Sequence, residues 1–151
     1  MMFFQPMQHD HEWLWIRKRA MPLRCQDTQG IVAYDGNGKI AAVVVFDSFT
    51  VDGCSVHFAI DNPMAIRRGL INEACHYAFV QRNCTKMFGL VPDNKEKVFN
   101  LDRKIGFYEV TRIPDALQDG YGYIVMRMDR KDCKWLPEEL RNPEEKVAAN
   151  G

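Results

Sequence analysis

The sequence predicts one α/β domain of the α+β type, built on a mixed sheet that helices flank. Three observations predict it. The chain has 151 residues, 46% of them hydrophobic and 26% charged, which suits a single globular domain with its own core. From residue 30 onward the segments follow the order strand, strand, strand, helix, strand, helix, strand, strand. A turn signal at residues 35–38 marks an antiparallel hairpin early in that order.

The composition narrows the function classes. Twenty basic and 20 acidic residues cancel, so no overall positive field favours nucleic acid, and we expect no nucleic-acid partner. The five cysteines form no C-x-x-C pair, which argues against a disulfide framework and a zinc site. The longest strongly apolar run, residues 40–46, is too short for a membrane span, and Gln5 and Pro6 interrupt the apolar N-terminus too early for a signal peptide. We therefore expect a cytoplasmic protein with reduced thiols, no metal and no membrane segment.

The first segments predict a short helix and then a hairpin. "EWLWIRKRA" (12–20) has apolar residues at helical spacing, and Pro22 ends it. "GIVAYD" (30–35) and "KIAAVVVFDSF" (39–49) flank Gly36-Asn37-Gly38, whose residues tolerate positive φ. The second arm of this hairpin is apolar on both faces, which suits a strand in the middle of a covered sheet.

The third strand leads into the first long helix. "CSVHFAID" (54–61) alternates apolar and polar positions, as a strand with one face in a core does. Asn62 and Pro63 then supply an N-cap and a first helical residue, and an apolar stripe at spacings of three and four continues through residue 80. "KMFGLV" (86–91) is predicted to be a short buried strand.

A second helix is predicted after residues 92–94, which include its cap. Its inner face would be Val98, Leu101 and Ile105, and Gly106 would end it in the left-handed conformation. "FYEVTRI" and "YGYIVMRMD" would then form a closing antiparallel pair.

These elements divide the chain into three parts. Residues 1–29 are predicted to be an N-terminal arm with a short helix, and residues 30–130 the folded domain. Residues 131–151 are polar and interrupted by prolines, which is typical of a tail.

Two central pieces, "AIDNPMAIRRGLINEACHYAF" and "GLVPDNKEKVFNLDRKIGFYEV", resemble the GNAT family of acyl-CoA-dependent N-acyltransferases. The second piece is the more telling, because its amphipathic helix ends in Lys-Ile-Gly-Phe where the family usually has Lys-Leu-Gly-Phe. The resemblance covers residues 30–130 and implies a GNAT-like mixed, mostly antiparallel central sheet flanked by helices. Further strings, "LWIRKRAMPL", "DTQGIVAYDGNGK", "VVFDSFT" and "MDRKDCKWLP", look like a small GNAT-like group encoded by tailed bacteriophages.

The resemblance implies acetyl-CoA as cosubstrate and an amine as acceptor, which the sequence does not identify. In the family, an Arg- and Gly-rich stretch at the start of the first long helix cradles the coenzyme A pyrophosphate, which implies this role for Arg67, Arg68 and Gly69. The family pattern Arg-x-x-Gly-x-Gly/Ala is incomplete here, since one glycine remains. The alternative is that both arginines are solvated or pair with Asp61 or Glu73.

Three further residues are implied at the cofactor. Ala59 and Ile60 end the strand that precedes the pyrophosphate-binding helix, and Asn94 lies near the start of the next helix. Asn94 falls one position earlier than the usual asparagine of the family.

Two residues are candidate catalytic groups. His57 lies in the strand where GNAT enzymes often place the base that takes a proton from the acceptor amine, and neutral imidazole suits that role. The alternative is a structural histidine. The family's general acid is a tyrosine five residues before Phe107, but that position holds Asp102, which we expect to be ionised at neutral pH. Tyr108 is the candidate acid near it in sequence.

A non-catalytic protein with the same fold stays open as the alternative function. The missing tyrosine and the reduced glycine pattern favour a structural, virion or assembly component of a tailed bacteriophage. Phe3, Phe4, Trp13 and Trp15 would then dock on phage proteins. The sequence therefore leaves two readings, an N-acyltransferase and a GNAT-fold structural protein.

Overall fold

The protein folds around one seven-stranded sheet. The computed structural model describes residues 1–20, 22 and 24–143. In the sheet the strands lie in the order β1-β2-β3-β4-β5-β7-β6, and every neighbouring pair is antiparallel except β4 and β5. The strands are β1 (Phe3–Pro6), β2 (Gln29–Tyr34), β3 (Ile40–Asp47), β4 (Gly53–Ile60), β5 (Lys86–Pro92), β6 (Tyr108–Ile113) and β7 (Tyr123–Asp129). The predicted mixed, mostly antiparallel sheet is confirmed.

Helices cover both faces of this sheet. They are α1 (Asp10–Arg17), α2 (Met64–Arg67), α3 (Leu70–Cys75), which continues directly as a π-helical segment (His76–Gln81), and α4 (Glu96–Ile105). Trp13 of α1 packs with Val43 and Ala59 on one face of the sheet. Ala74 of α3 and Ile105 of α4 belong to the core on the other face. No helix in the described residues is long and apolar enough to cross a membrane.

The central hairpin is confirmed. All eight residues of β3 are buried, because β2 and β4 flank the strand and helices cover both of its faces. Asp35 stabilises the turn, since its carboxylate accepts the N–H groups of Asn37 at 2.8 Å and Lys39 at 3.0 Å. Gly38 occupies the left-handed region at φ 76°, as the turn signal predicted.

Both ends of the described chain pack on the domain. β1 adds an edge strand beside β2, and Trp13 is 8% exposed, so the expectation that Trp13 offers a docking side chain is wrong. Cys133 and Leu136 are buried in the core on the α3 and α4 face. Residues 131–143 are therefore part of the folded domain, and the remainder of the predicted tail, 144–151, lies outside the described residues.

Helix α4 ends as the sequence predicted but is rotated from the predicted orientation. Gly106 has φ 124°, and the N–H of Phe107 donates to Asp102 O at 3.0 Å, which closes the helix in a Schellman motif. The predicted inner residue Val98 is 42% exposed, whereas Asp102 is 7% exposed. The buried stripe therefore includes a carboxyl group.

Candidate active site

A slot opens between the two parallel strands at the centre of the sheet. β4 and β5 pair at three positions, Gly53 with Lys86, Cys54 with Met87 and Ser55 with Phe88. β4 then continues to Ile60 and β5 to Pro92 without further pairing between them. The carboxyl ends of these strands therefore part, at the edge where open α/β sheets bind ligands.

Two glycines differ in the space around them at the closed and open ends of the strand pair. A Cβ added at Gly53 would lie 3.1 Å from Lys86 O, so the strands are in tight contact there. A Cβ added at Gly89, the first β5 residue beyond the paired positions, would have Val56 O at 3.9 Å as its nearest neighbour. The slot therefore has unfilled space at its apex, beside Gly89, which has no side chain.

Main-chain groups of β4 line the slot. The N–H of Asp61 donates to Ala41 O at 3.0 Å, which puts the odd-numbered residues of β4 in hydrogen-bonded positions toward β3. The main-chain groups of Phe58 and Ile60 therefore point away from β3, toward β5, beyond the last paired residue. Two residues of this strand, Ala59 and Ile60, are predicted to contact the cofactor. Ile60 presents its N–H and C=O to the slot, whereas those of Ala59 point toward β3.

The start of α3 lies at the end of this strand. Gly69 is its N-cap, with φ 107°, and the first intrahelical bond runs from Glu73 N–H to Gly69 O at 3.0 Å. The N–H groups of the three residues before Glu73 therefore have no acceptor within the helix, and the helix dipole adds positive potential. Arg67 and Arg68 precede Gly69 and are exposed.

The two arginines have no acidic partner in the described part of the chain. Asp61 was one of the two expected partners. Its carboxylate instead accepts two hydrogen bonds from Arg19, from Nε at 3.0 Å and from Nη2 at 2.7 Å. This hydrogen-bonded pairing with Arg19 holds the pKa of Asp61 below its usual range. Within the described residues Glu73 forms no ion pair with Arg67 or Arg68 either. A diphosphate is the kind of anion that Arg67, Arg68 and the helix start could bind together.

The short helix α2 occupies the segment just before the start of α3, and it uses main-chain amides of that segment in hydrogen bonds. Asn62 Oδ1 accepts a hydrogen bond from the N–H of Met64 at 3.0 Å, but the N-cap of α2 is Pro63, one residue later than predicted, and the predicted long helix is divided at Gly69. The N–H groups of Ala65 and Ile66 donate to Asn62 O and Pro63 O, each at 3.1 Å. These amides are therefore already bonded within the chain.

The structure places Asn94 apart from the helix cap. The N-cap of α4 is Lys95, and Asn94 is exposed in the turn before it. Asp93 fixes this turn, because its carboxylate accepts the N–H of Gly122 at 3.0 Å. The prediction that Asn94 binds the cofactor stays a prediction; the residue follows the carboxyl end of β5 by two positions.

His57 has a partner that sequence reasoning missed. Nε2 of His57 lies 2.8 Å from Oδ2 of Asp47, which is 4% exposed. In the sheet register Asp47 faces Ser55, so Asp47 and His57 are diagonal neighbours on the same face. A carboxylate can only accept a hydrogen bond, so Nε2 donates and Nδ1 of the neutral ring keeps a free lone pair. This pair suits a general base.

Tyr108 lies far from His57. It begins β6, which is separated from β4 by β7 and β5, so three strand spacings, about 14 Å, lie between the two strands. Its hydroxyl donates to Asp129 at 2.8 Å and accepts a hydrogen bond from Arg127. Burial and the bond to Asp129 raise the pKa of Tyr108. The two predicted catalytic residues are therefore not brought together.

Asp102 does not have the ordinary acidity of an aspartate. Burial raises the pKa of its carboxyl to about 7. The expectation that Asp102 is ionised throughout the neutral range is therefore wrong, because it took the aspartate to be exposed to water.

The fold has many counterparts among solved structures, although the sequence matches no protein-family model and no curated protein sequence. A mutant spermidine N-acetyltransferase SpeG from Vibrio cholerae matches with TM-score 0.73 and 14% identity, over 91% of this chain and 98% of that chain. The spermidine/spermine N-acetyltransferase SpeG from Vibrio cholerae with manganese ions matches with TM-score 0.69 and 14% identity, over 86% and 93%. A provisionally assigned phosphinothricin N-acetyltransferase matches with TM-score 0.65 and 15% identity, over 85% and 98%.

These similarities agree with the architecture built from the residues. The matched proteins are N-acetyltransferases, and each match covers more than four fifths of this chain. The protein therefore has the GNAT fold, with the mixed sheet and flanking helices that these N-acetyltransferases share.

Proposed function

We propose that the protein is an acyl-CoA-dependent N-acyltransferase that uses acetyl-CoA and an amine acceptor. The observation that carries the proposal is the parting of β4 and β5 after three paired positions. A closed sheet has no place for a thioester, whereas this slot offers free main-chain groups along one wall and a helix start at its end. The GNAT fold of the chain supports the same conclusion.

Acetyl-CoA would lie with its thioester in the slot and its diphosphate at the start of α3. Arg67, Arg68 and the first amides after Gly69 supply the positive potential that a diphosphate needs. The amide groups of the pantetheine chain would pair with the main-chain groups of Phe58 and Ile60, as a short strand would. Asn94 is proposed to contact the same chain from the other side of the slot.

The chemistry would be direct attack of a neutral amine on the thioester carbonyl. His57, held by Asp47, would take the proton that the amine loses. A main-chain N–H of β4 would stabilise the negative charge that develops on the carbonyl oxygen, an interaction worth about 3–4 kcal/mol in other acyl transfers. The remaining contribution is positioning of the two reactants.

Titration of the protein with acetyl-CoA by calorimetry tests the proposal. We expect micromolar binding that weakens roughly tenfold when Arg67 and Arg68 are both changed to Ala, since each exposed cation contributes up to about 1 kcal/mol. Arg112→Ala on the edge strand β6 is the matched control and should bind as the wild type does. Absence of heat together with an unchanged unfolding temperature would contradict the proposal.

The acceptor can be sought among amines. Spermidine is an informative first probe, because a matched structure is a spermidine N-acetyltransferase. Primary amines on amino acids and peptide N-termini complete a panel, with free CoA release measured by a thiol reagent. We place the reaction in the cytoplasm of a bacterium, including a phage-infected host.

A GNAT-fold structural or assembly protein of a tailed bacteriophage is the second candidate. Helix α2 favours it, because the bonded amides of Ala65 and Ile66 cannot also bind a phosphate. This function predicts no affinity for acetyl-CoA and association with virion proteins. The calorimetric titration separates the two candidates.

A further inference from the structure

Strand β6 forms one edge of the sheet, and its outer side is unpaired. The strand is last in the strand order, and within the described residues only β7 pairs with it. All of its residues are exposed, among them Val110 at 48% and Ile113 at 45%. The main-chain N–H and C=O groups on the outer side of an edge strand can pair with a further strand. β6 is therefore a surface to which another strand can be added.

A β-bulge decides which side chains of β6 share a face. The register against β7 shifts between Glu109 and Thr111, which makes Val110 an extra residue. Glu109 and Arg112 are three positions apart, a separation that puts two residues on opposite faces of a regular strand. With the bulge between them they share a face, and their side chains form an ion pair with 2.9 Å between Oε1 and Nη2. The paired residues of β6 therefore read Tyr, Glu, Thr, Arg, Ile, with Thr111 in the middle.

This order of residues is self-complementary about a two-fold axis at Thr111. In antiparallel pairing around that axis, Thr111 lies opposite Thr111 of a second copy. Glu109 lies opposite Arg112 of the second copy. Tyr108 lies opposite its Ile113. A Thr–Thr pair, a pair of opposite charges and a pair of an aromatic with a β-branched residue are all cross-strand pairs that stabilise a sheet. Every paired residue of the strand therefore has a favourable partner.

The charges disfavour the neighbouring registers. Residues that pair across two strands lie on the same face, so a symmetric pair can slip only by moving the axis to another paired residue. An axis at Glu109 would place it opposite Glu109 of the second copy, and an axis at Arg112 would place two arginines together. Like charges directly opposite each other are destabilising. Charges on an edge strand normally oppose pairing, but here their order favours one register with a second copy.

We propose that β6 is a homodimer interface, at which two copies join their sheets edge to edge by antiparallel pairing centred on Thr111. One strand pair buries less surface than a permanent dimer does, so the association is weak, with a Kd of about 10–100 µM. β7 and β5 lie between β6 and the slot. The interface is therefore separate from the candidate active site and does not depend on the proposed acyltransferase function.

Sedimentation velocity of the full chain between about 5 and 300 µM tests the interface. We expect the wild type to form a dimer as its concentration rises. Glu109→Arg gives the edge two cations, and Arg112→Glu gives it two anions. Each variant should raise the dimer Kd at least about tenfold, because like charges replace opposite charges at two pairs. The control is Lys18→Glu, an equal charge change at the end of α1, which should dimerise as the wild type does.

A mixture of the two edge variants separates pairing between copies from the ion pair within one chain. Neither variant can form the Glu109–Arg112 ion pair in its own chain, but the cationic edge of one complements the anionic edge of the other. An equimolar mixture should therefore dimerise with about the affinity of the wild type. The double variant Glu109→Arg/Arg112→Glu should dimerise alone. A monomeric wild type, single variants that dimerise as the wild type does, or a monomeric mixture would overturn the proposal.

Discussion

His57 and Asp47 form a hydrogen-bonded pair across neighbouring strands, with 2.8 Å between Nε2 and Oδ2. The side chain of Asp47 is 6% exposed and that of His57 28% exposed, so the carboxylate is sheltered while the ring stays accessible. The pair lies on the sheet face opposite the one that α3 and α4 cover. The proposed base therefore lies on one face of the sheet, and helix α4 with Asp102 covers the other.

Removal of the Asp47 carboxylate should misorient the proposed base. We expect Asp47→Asn to lower kcat roughly tenfold to a hundredfold with little change in KM for acetyl-CoA, because an amide does not select one imidazole tautomer. His57→Ala should lower kcat at least as far, and the double variant no further than His57→Ala. Asp61→Asn is the control, since that carboxylate pairs with Arg19. Nitrogen NMR of the ring should show one tautomer in the wild type and a mixture in Asp47→Asn; a mixture in both would refute the positioning role.

A side chain at Gly89 should block the slot without unfolding the protein. The space around Gly89 accepts a Cβ, since the nearest atom lies at 3.9 Å, and valine suits a strand. We expect Gly89→Val to keep the unfolding temperature within a few degrees but to weaken acetyl-CoA binding at least about tenfold. Gly53→Ala is the contrasting variant: its Cβ would meet Lys86 O at 3.1 Å, so stability should fall by about 1–3 kcal/mol. Full affinity in Gly89→Val would place the thioester elsewhere.

Asp102 should make the protein less stable as pH rises. Its pKa is about 7 in the folded state and roughly 3.9 in an unfolded chain. Between these values the folded state binds the more protons, so unfolding costs less as pH increases, by about 1.4 kcal/mol per pH unit and roughly 4 kcal/mol in all. The effect is absent below pH 4 and constant above the folded pKa. Asp102→Asn should therefore gain stability relative to the wild type from pH 5 to 7, measured by urea unfolding.

Thiol accessibility should distinguish one cysteine from the other four. Cys25 is exposed, and Cys54, Cys75, Cys84 and Cys133 are buried. Its side-chain interaction with Cys75 lowers the pKa of Cys133 to about 7, but burial keeps reagents from it. A chromogenic disulfide should therefore react quickly with one thiol per native molecule and with all five in urea. The variant Cys25→Ser should show no fast phase; a fast phase there would mean that a core thiol is reachable.

Local signals in the sequence were enough for most of the fold. β3 is identified by its apolar run and the Gly-Asn-Gly turn before it, and Gly106 marks the end of α4, because both depend on neighbours in the chain. The slot follows from the resemblance to the GNAT family, since the sequence contains no direct signal for where two strands part.

The surroundings of His57 and Asp102 could be seen only in the three-dimensional structure. Asp47 and His57 meet through the register of two strands, which alternation alone does not fix. The rotation of α4 was also ambiguous, because Phe99 and Leu101 are both apolar and allow more than one inner face. In the orientation that α4 has in the structure, Asp102 is buried and Val98 is exposed, and this burial raises the pKa of the Asp102 carboxyl. The docking role predicted for Trp13 was wrong because the apolar sheet face beneath α1 buries its ring.

The bond from Trp135 to the end of α4 gives the protein an optical reporter. The indole Nε1 donates to Ile105 O at 2.6 Å, three residues from Asp102. Any motion that frays this helix end would move the indole into water and shift its fluorescence to longer wavelength. Binding at the slot could thus be followed without a dye, and replacing Trp13 and Trp15 by Phe would leave a single emitter whose colour reports the position of α4.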